Sequence, residues 1–248
     1  MEEATLMMVT YNRLELTKKT LNYLFKNDPG VDYNLVIVDN GSSDGTVGFL
    51  DDIKCNERLK KIIIVKLPEN KGIAIGRNIA LKEANKLNTI WYSTIDNDVL
   101  LPKNWLYNCI EVLRKNPTYG MMGVNFESQS FPIVKLNGDF EIQNKPRGNL
   151  GTACTVFHKR FHQMLGFFNT EYGLYGEEDA DMGMRARAVG FKLGYIKENG
   201  VHLGEGEQDV GEYRKFKTKC HQNNLSQFNK NARAYFSKQK QFYIPFKE

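Results

Sequence analysis

The 248 residues suffice for one sizeable α/β core, or for a main domain with a small addition. At 41% hydrophobic and 25% charged the composition is that of a globular chain, and no stretch approaches the roughly 18–20 uninterrupted apolar residues of a membrane span. The net charge of +5 is unevenly placed: Arg214 to Glu248 holds nine Lys/Arg against one acid, whereas the first 213 residues hold 25 basic and 28 acidic side chains.

Short β-type runs alternate with helical patterns through the first half. The run 6–10 predicts a buried strand, and Leu14, Thr17, Leu21, Leu24 and Phe25 then recur on one helical face. Residues 34–39 predict the next strand, and Ser43 or Asp44 is placed to cap a helix after it. A third strand is expected at 61–67 and a third helix at 72–87, then a fourth strand at 89–96. Pro102 suits a helix start, with Trp105, Leu106, Cys109, Ile110 and Leu113 as its apolar stripe. Strand–helix alternation at this spacing implies a parallel sheet with right-handed crossovers.

The second half breaks the rhythm. A strand at 121–126 precedes a polar excursion at 131–147 that fits a hairpin. A strand at 150–157, a short helix at 158–165 and a helix from Glu178 to Val189, closed by Gly190, follow. A strand near 191–197, a glycine-rich loop at 200–211 and a basic helical tail complete the chain. The organisation expected is one domain over 1–211, with a nucleotide-binding half (1–100) and an acceptor-side half (101–211), and an extension at 212–248 packed on it.

Cys55, Cys109, Cys154 and Cys220 are scattered, without a CxxC pair, and read as buried free thiols of a reducing compartment. The start MEEATLMMV carries acids where a secretory signal carries bases. A cytoplasmic protein, at most peripheral at a membrane, is expected. In the tail, aromatics interleave with the cations, a pattern that could meet nucleic acid, anionic lipid or an acidic glycan, or pack back on the core.

In an open parallel sheet, ligands collect beyond the carboxyl ends of the strands, and three motifs fall there. Thr10-Tyr11-Asn12-Arg13 ends the first strand and Asp39-Asn40-Gly41-Ser42-Ser43-Asp44-Gly45 the second. A carboxylate at Asp39 can accept a base N–H, although turn and cap chemistry uses the same residue types. Asp96-Asn97-Asp98 closes the fourth strand, and residues i and i+2 of an extended chain face one way, so both carboxylates could meet one hard cation. Farther on, Glu177, Glu178, Asp179 and Asp181 exceed what a helix dipole needs, and their repulsion calls for a cation or a basic partner. His202 offers an imidazole in a glycine-rich loop.

Taken in order, TYNR, VDNGSSDGT, NKGIAIGRN, DND, the EEDAD helix start and VH resemble glycosyltransferase family 2, inverting enzymes of the GT-A fold. The resemblance runs from Leu6 to His202. It implies an α/β chain with a Rossmann-like, mostly parallel central sheet flanked by helices, a smaller acceptor-side portion and the basic tail. Thr10, Tyr11, Asn12 and Asp39 would surround the base and ribose. Arg13, Asn70, Gly72, Arg77, Asp96 and Asn97 would belong to the same donor-binding set. Asp98 would hold Mn2+ or Mg2+ on the diphosphate, with His202 completing the metal site. Glu178-Asp179 matches the family's acidic pair, so Asp179 would be the general base, with Glu177 and Glu178 on the acceptor side. The implied partners are a nucleotide-sugar donor, first of all a UDP-sugar, and an acceptor glycan or lipid-linked glycan. A modified nucleic acid base or a protein side chain stays open as acceptor through the basic tail. A catalytically silent nucleotide-sugar binder is the reading of another class. Nucleotidyl transfer would call for a glycine-rich loop after the first strand, and TYNRLELTKK has no glycine.

Overall fold

The fold is described from a computed structural model for residues 3–53, 57–127, 131–151, 153–204 and 211–246. Strand–helix units open the chain: β1 (Glu3–Thr10) and α1 (Leu14–Lys26), β2 (Asp32–Asp39) and α2 (Thr46–Asp51), β3 (Leu59–Lys66) and α3 (Ile73–Ala84). Then come β4 (Trp91–Asp96), β5 (Val99–Leu100), α4 (Trp105–Lys115), β6 (Tyr119–Asn125), β7 (Ile133–Lys135), β8 (Glu141–Asn144) and β9 (Cys154–His158). α5 (Lys159–Leu165), a 3-10 turn (Thr170–Tyr172), α6 (Glu178–Ala188), β10 (Lys192–Asn199), β11 (Val201–His202) and α7 (Glu212–Phe236) complete the described chain.

The large sheet has the order β3-β2-β1-β4-β9-β6-β10-β8-β7. β3, β2, β1 and β4 are parallel neighbours, as are β6 and β10. β9 lies antiparallel between β4 and β6, and β8 antiparallel between β10 and β7, so these two run against the rest. Alternate residues of each central strand feed opposite faces of the sheet. Leu6, Met8, Leu35 and Ile37 join α1 and α4 through Leu21, Leu24, Trp105, Leu106 and Ile110. Met7, Val36 and Val38 join α3 and α5 through Ala80, Leu81, Ala84, Phe161 and Leu165. β2 is buried at every position because helices cover both sides.

Several expectations shift. α4 starts at Trp105, not at Pro102, because the chain first crosses the 27–30 loop: Asn27 Nδ2 donates to Leu101 O (2.6 Å) and Asn104 N to Asp28 O (2.9 Å). Ser43 does not cap α2; Gly45 occupies the cap, and Asp44 Oδ1 accepts from Thr46 N (3.1 Å). The 150–157 run pairs only from Cys154, and antiparallel. Cys109 and Cys154 are buried, Cys220 is half-buried, and Cys55 lies outside the described residues. So does most of the glycine-rich loop, residues 205–210. Among the described residues no helix is long and apolar enough to cross a membrane.

The tail is tied down by polar contacts as well as by packing. Tyr235, 1% exposed, donates from its hydroxyl to Asp181 Oδ2 (3.0 Å), which Tyr172 also reaches (2.8 Å). Asp181 Oδ1 in turn accepts from Arg185 Nε at 2.7 Å, with both side chains fully enclosed. Phe242 and Phe246 cover the core on the α3–α5 side. Phe216, Phe236 and Tyr243 remain exposed.

Candidate active site

Register brings the strand-end motifs together: Thr10 pairs with Asp39 and Val9 with Asp96. After β1 the chain turns sharply, with Asn12 and Arg13 both left-handed (φ 55° and 63°), which aims Arg13 back across the strand ends. Its Nη1 meets Asp98 Oδ2 at 2.7 Å. Tyr11, Arg13, Asn70, Arg77 and Asp96 line one cavity of about 590 Å³, together with Asn97, Asp98, Glu178, Asp179 and His202.

Thr10, Asn12, Asp39, Gly72 and Glu177 do not line it. The polar atoms of Thr10 and Asn12 serve the framework. Thr10 Oγ1 and Thr17 Oγ1 lie 3.1 Å apart and share Asn97 Nδ2, so the amide of Asn97 braces β1 to α1. Asn12 accepts from Ser43 N and donates its own N–H to Ser42 Oγ, fixing the 39–45 loop. Asp39 Oδ2 accepts from Ser42 N (2.9 Å), while its buried Oδ1 has no hydrogen-bond partner. Such an orphaned acceptor costs about 1–3 kcal/mol unless a donor meets it. Gly72 works through its backbone: at φ 93° a Cβ would meet Gly173 O at 2.8 Å. Asn70 Oδ1 accepts from Gly72 N and from Asn40 Nδ2.

Asp98 is 4% exposed. Burial and the charge of Asp96 push its carboxyl above the usual carboxylate range, against the pull of His202, Arg13 and Lys217. His202 arrives through β11, which pairs antiparallel with β5 (His202 opposite Val99), while Leu203 N donates to Asp98 O at 2.7 Å. His202 Nε2 then stands 3.6 Å from Asp98 Oδ1. Gly204 closes over the pair, where a Cβ would lie 2.6 Å from Asp98 Oδ2.

Among the described residues no group of three His, Cys, Asp or Glu converges as a metal cage. A carboxylate and an imidazole side by side, with a second carboxylate near, are donor types that would suit a divalent cation. Gly204 N donates to His202 Nδ1 (3.2 Å).

Across the cavity, Arg77 is 6% exposed and spans two acids: Nη1 to Glu178 Oε1 at 2.7 Å, Nη2 to Asp96 Oδ1 at 3.0 Å. Its guanidinium lies 5.6 Å from the Phe168 ring centre. Burial, then the charge of Asp179, pushes Glu178 up to about 7. Glu178 Oε2 is buried without a partner. α6 starts here because Gly176 and Glu177 both take positive φ (93° and 70°), turning the helix N-terminus into the cavity. Asp179 is half-buried on that first turn. Glu177 lies outside the cavity lining and pairs with His221 Nδ1 of α7 at 2.6 Å.

Asn40, Tyr175, Phe216 and Lys217 also line the cavity. Asn40 sits inside the strand-end motif 39–45, Tyr175 lies just before the acidic run at 177–181, and Phe216 and Lys217 belong to the tail whose aromatics interleave with its cations.

Acids, two arginines and a histidine thus gather beyond the carboxyl ends of the parallel strands. The sequence profile of Glycosyl transferase family 2 matches residues 5–169, and the chain belongs to that family. It is 31% identical over 102 residues to an uncharacterized glycosyltransferase, YfnE of Bacillus subtilis, covering 41% of this chain and 24% of that one. It is 25% identical over 210 residues to a poly-beta-1,6-N-acetyl-D-glucosamine synthase of Staphylococcus epidermidis, covering 77% and 46%. The chain thus spans less than half the length of these relatives.

The fold matches S. aureus TarS 1–349 in complex with UDP (TM-score 0.61, 18% identity, 81% of this chain and 60% of that one). It also matches the mannosyltransferase PcManGT of Pyrobaculum calidifontis, solved with GDP-Man and Mn2+ (0.62, 18%, 95% and 74%). GalNAc-T7, solved with UDP, GalNAc and Mn2+, gives 0.69 at 14% identity, covering 98% and 52%. These are GT-A glycosyltransferases, and the GT-A architecture is that of this chain.

Proposed function

We propose that the chain is a metal-dependent inverting glycosyltransferase that moves one sugar from a nucleoside-diphosphate sugar to an acceptor hydroxyl. The observation that carries the reading is the convergence of Asp98, His202 and Asp179 on one cavity from three separate parts of the chain. UDP is the donor nucleotide proposed, in keeping with the TarS and GalNAc-T7 complexes.

In this reading Asp98 and His202 hold Mn2+ or Mg2+, which when bound neutralises charge on the departing diphosphate. Tyr11, Asn40 and Asn70 border the nucleoside, and Asp39 Oδ1 takes a base N–H if the 39–45 loop yields. Arg77 keeps Asp96 and Glu178 in place. Asp179 orients the acceptor hydroxyl and takes its proton as the new C–O bond forms opposite the breaking C1–O bond, whose electron pair leaves with the diphosphate. Asp179 serves as base because the proton moves late, when the attacking alcohol has become acidic. The acceptor class proposed is a glycan or lipid-linked glycan intermediate.

The experiment is a panel of nucleotide sugars with Mn2+, scored for release of free nucleoside diphosphate with and without glycan acceptors. Tight nucleotide-sugar binding with no turnover on any acceptor would instead favour a silent binder.

A further inference from the structure

His221, Asn224, Phe228, Asn231 and Tyr235 recur at three- and four-residue spacing, which places them on one face of α7. That face meets the body of the protein, while Lys215, Lys219, Lys230 and Arg233 are exposed. Its far end is fixed: Tyr235 donates to the enclosed Asp181 carboxylate (3.0 Å), and Asn231 Nδ2 to the Tyr172 hydroxyl (2.9 Å). Its near end grips the segment ahead of α6. Asn224 Nδ2 donates to Tyr172 O (2.8 Å) and Tyr175 O (3.0 Å). His221 Nδ1 lies 2.6 Å from Glu177 Oε1, and the imidazole stands edge-on to the Tyr175 ring, with centroids 6.3 Å apart. On its other side the same segment is tied to α3, where Ile73 N donates to Leu174 O at 3.0 Å.

The gripped segment has a constrained backbone. Gly176 and Glu177 take φ 93° and 70° in succession, and a non-glycine residue in the left-handed region persists only where its surroundings over-determine it. The Glu177 side chain gives α6 no cap; its carboxylate goes to His221 instead. These two dihedrals set the direction in which α6 leaves, and its first turn carries Glu178 and Asp179 into the cavity. A change at 176–177 therefore moves Asp179 relative to the side that holds Asp98 and His202.

Resting on the function proposed above, we infer that His221 and Asn224 are positioning residues for transfer: α7 clamps residues 172–177 and so holds Asp179 where the acceptor proton is removed. Neither residue lines the cavity, so each acts through the segment it holds. The tail then serves the transfer step itself, whichever acceptor is used.

The test compares the full chain with His221→Ala, His221→Asn, Asn224→Ala and, on the exposed face, Lys219→Ala. For each, kcat and KM are measured for nucleoside diphosphate release from the best nucleotide sugar and acceptor of the panel above, and the affinity for that nucleoside diphosphate with Mn2+ is measured by calorimetric titration. His221→Ala and Asn224→Ala should each lower kcat about tenfold while KM and diphosphate affinity stay within about twofold, because a misplaced reacting group costs rate and not ground-state binding. His221→Asn keeps a nitrogen donor at the Nδ1 position and should recover most of kcat, and Lys219→Ala should match the parent. Unchanged kcat in both alanine variants, an equal fall in diphosphate affinity, or no recovery in His221→Asn would overturn the inference and leave the transferase reading standing. So would a rate loss equal to the fraction unfolded at the assay temperature, read from thermal unfolding of each variant. Absence of diphosphate release by the parent from every nucleotide sugar would remove that reading, and the inference with it.

Discussion

Arg77 Nη1 lies 2.7 Å from Glu178 Oε1, joining α3 to α6 across 101 residues of sequence. The same guanidinium holds Asp96, so one buried cation links the end of β4 to the helix that carries Asp179. The two halves of the cavity are therefore not independent.

Removing that cation should be costly. Arg77→Met leaves Glu178 buried without its partner, and a broken buried pair costs about 3–5 kcal/mol. The double variant Arg77→Met/Glu178→Gln should recover part of the loss. Urea unfolding of both measures it; a single-variant cost below about 1 kcal/mol would show that the pair contributes little.

The protonation of Glu178 gives stability a pH dependence. Its folded pKa, raised to about 7, exceeds the ordinary value of 4.5, so the folded state holds the proton more tightly. The associated stability is full below about 4.5 and is lost as pH rises through about 7. Glu178→Gln should flatten the fall in Tm between pH 5 and 8. An unchanged slope in that variant would assign the pH dependence to other groups.

The proposed chemistry separates binding from transfer. Asp98→Ala should abolish turnover and weaken Mn2+-dependent binding of the nucleoside diphosphate. Asp179→Asn should bind donor normally and lose about 10²–10⁴-fold in transfer, the usual worth of a positioned base. Measuring donor affinity beside nucleotide release distinguishes the two; full transfer by Asp179→Asn would rule it out as the base.

Tyr235→Phe removes one hydroxyl donor from the enclosed Asp181 carboxylate. The expected cost is about 1–3 kcal/mol, read from denaturant unfolding, because an interior charge loses a hydrogen bond that nothing replaces. A neutral substitution would mean that α7 is held by its other contacts alone.

The strands and helices of the first half were legible because buried strands and one-faced helices carry different hydrophobic periods. The run 35–38 is apolar throughout, as a strand covered on both faces must be. The strand-end position of Asp39 and Asp96 followed from the same pattern, whereas Asp98 lies in the turn after β4 and meets Arg13 while Asp96 meets Arg77. The work done by Thr10, Asn12 and Asn97 did not. Residues that could meet a ligand use the same hydroxyl and amide groups to brace turns, and only the packed neighbours show which partner each group has taken.

By itself the sequence determined the alternation of elements, the family resemblance and which acids stood at strand or helix ends. The tertiary structure decided that β11 pairs with β5 and sets His202 beside Asp98, that Arg77 joins two acids, and that Glu177 turns to His221. It also decided that Phe216 and Lys217 of the basic tail line the cavity. The physical reason is range: periodicity and capping record each residue's nearest neighbours along the chain, whereas ion pairs and cavities form between segments that meet only after the sheet has assembled.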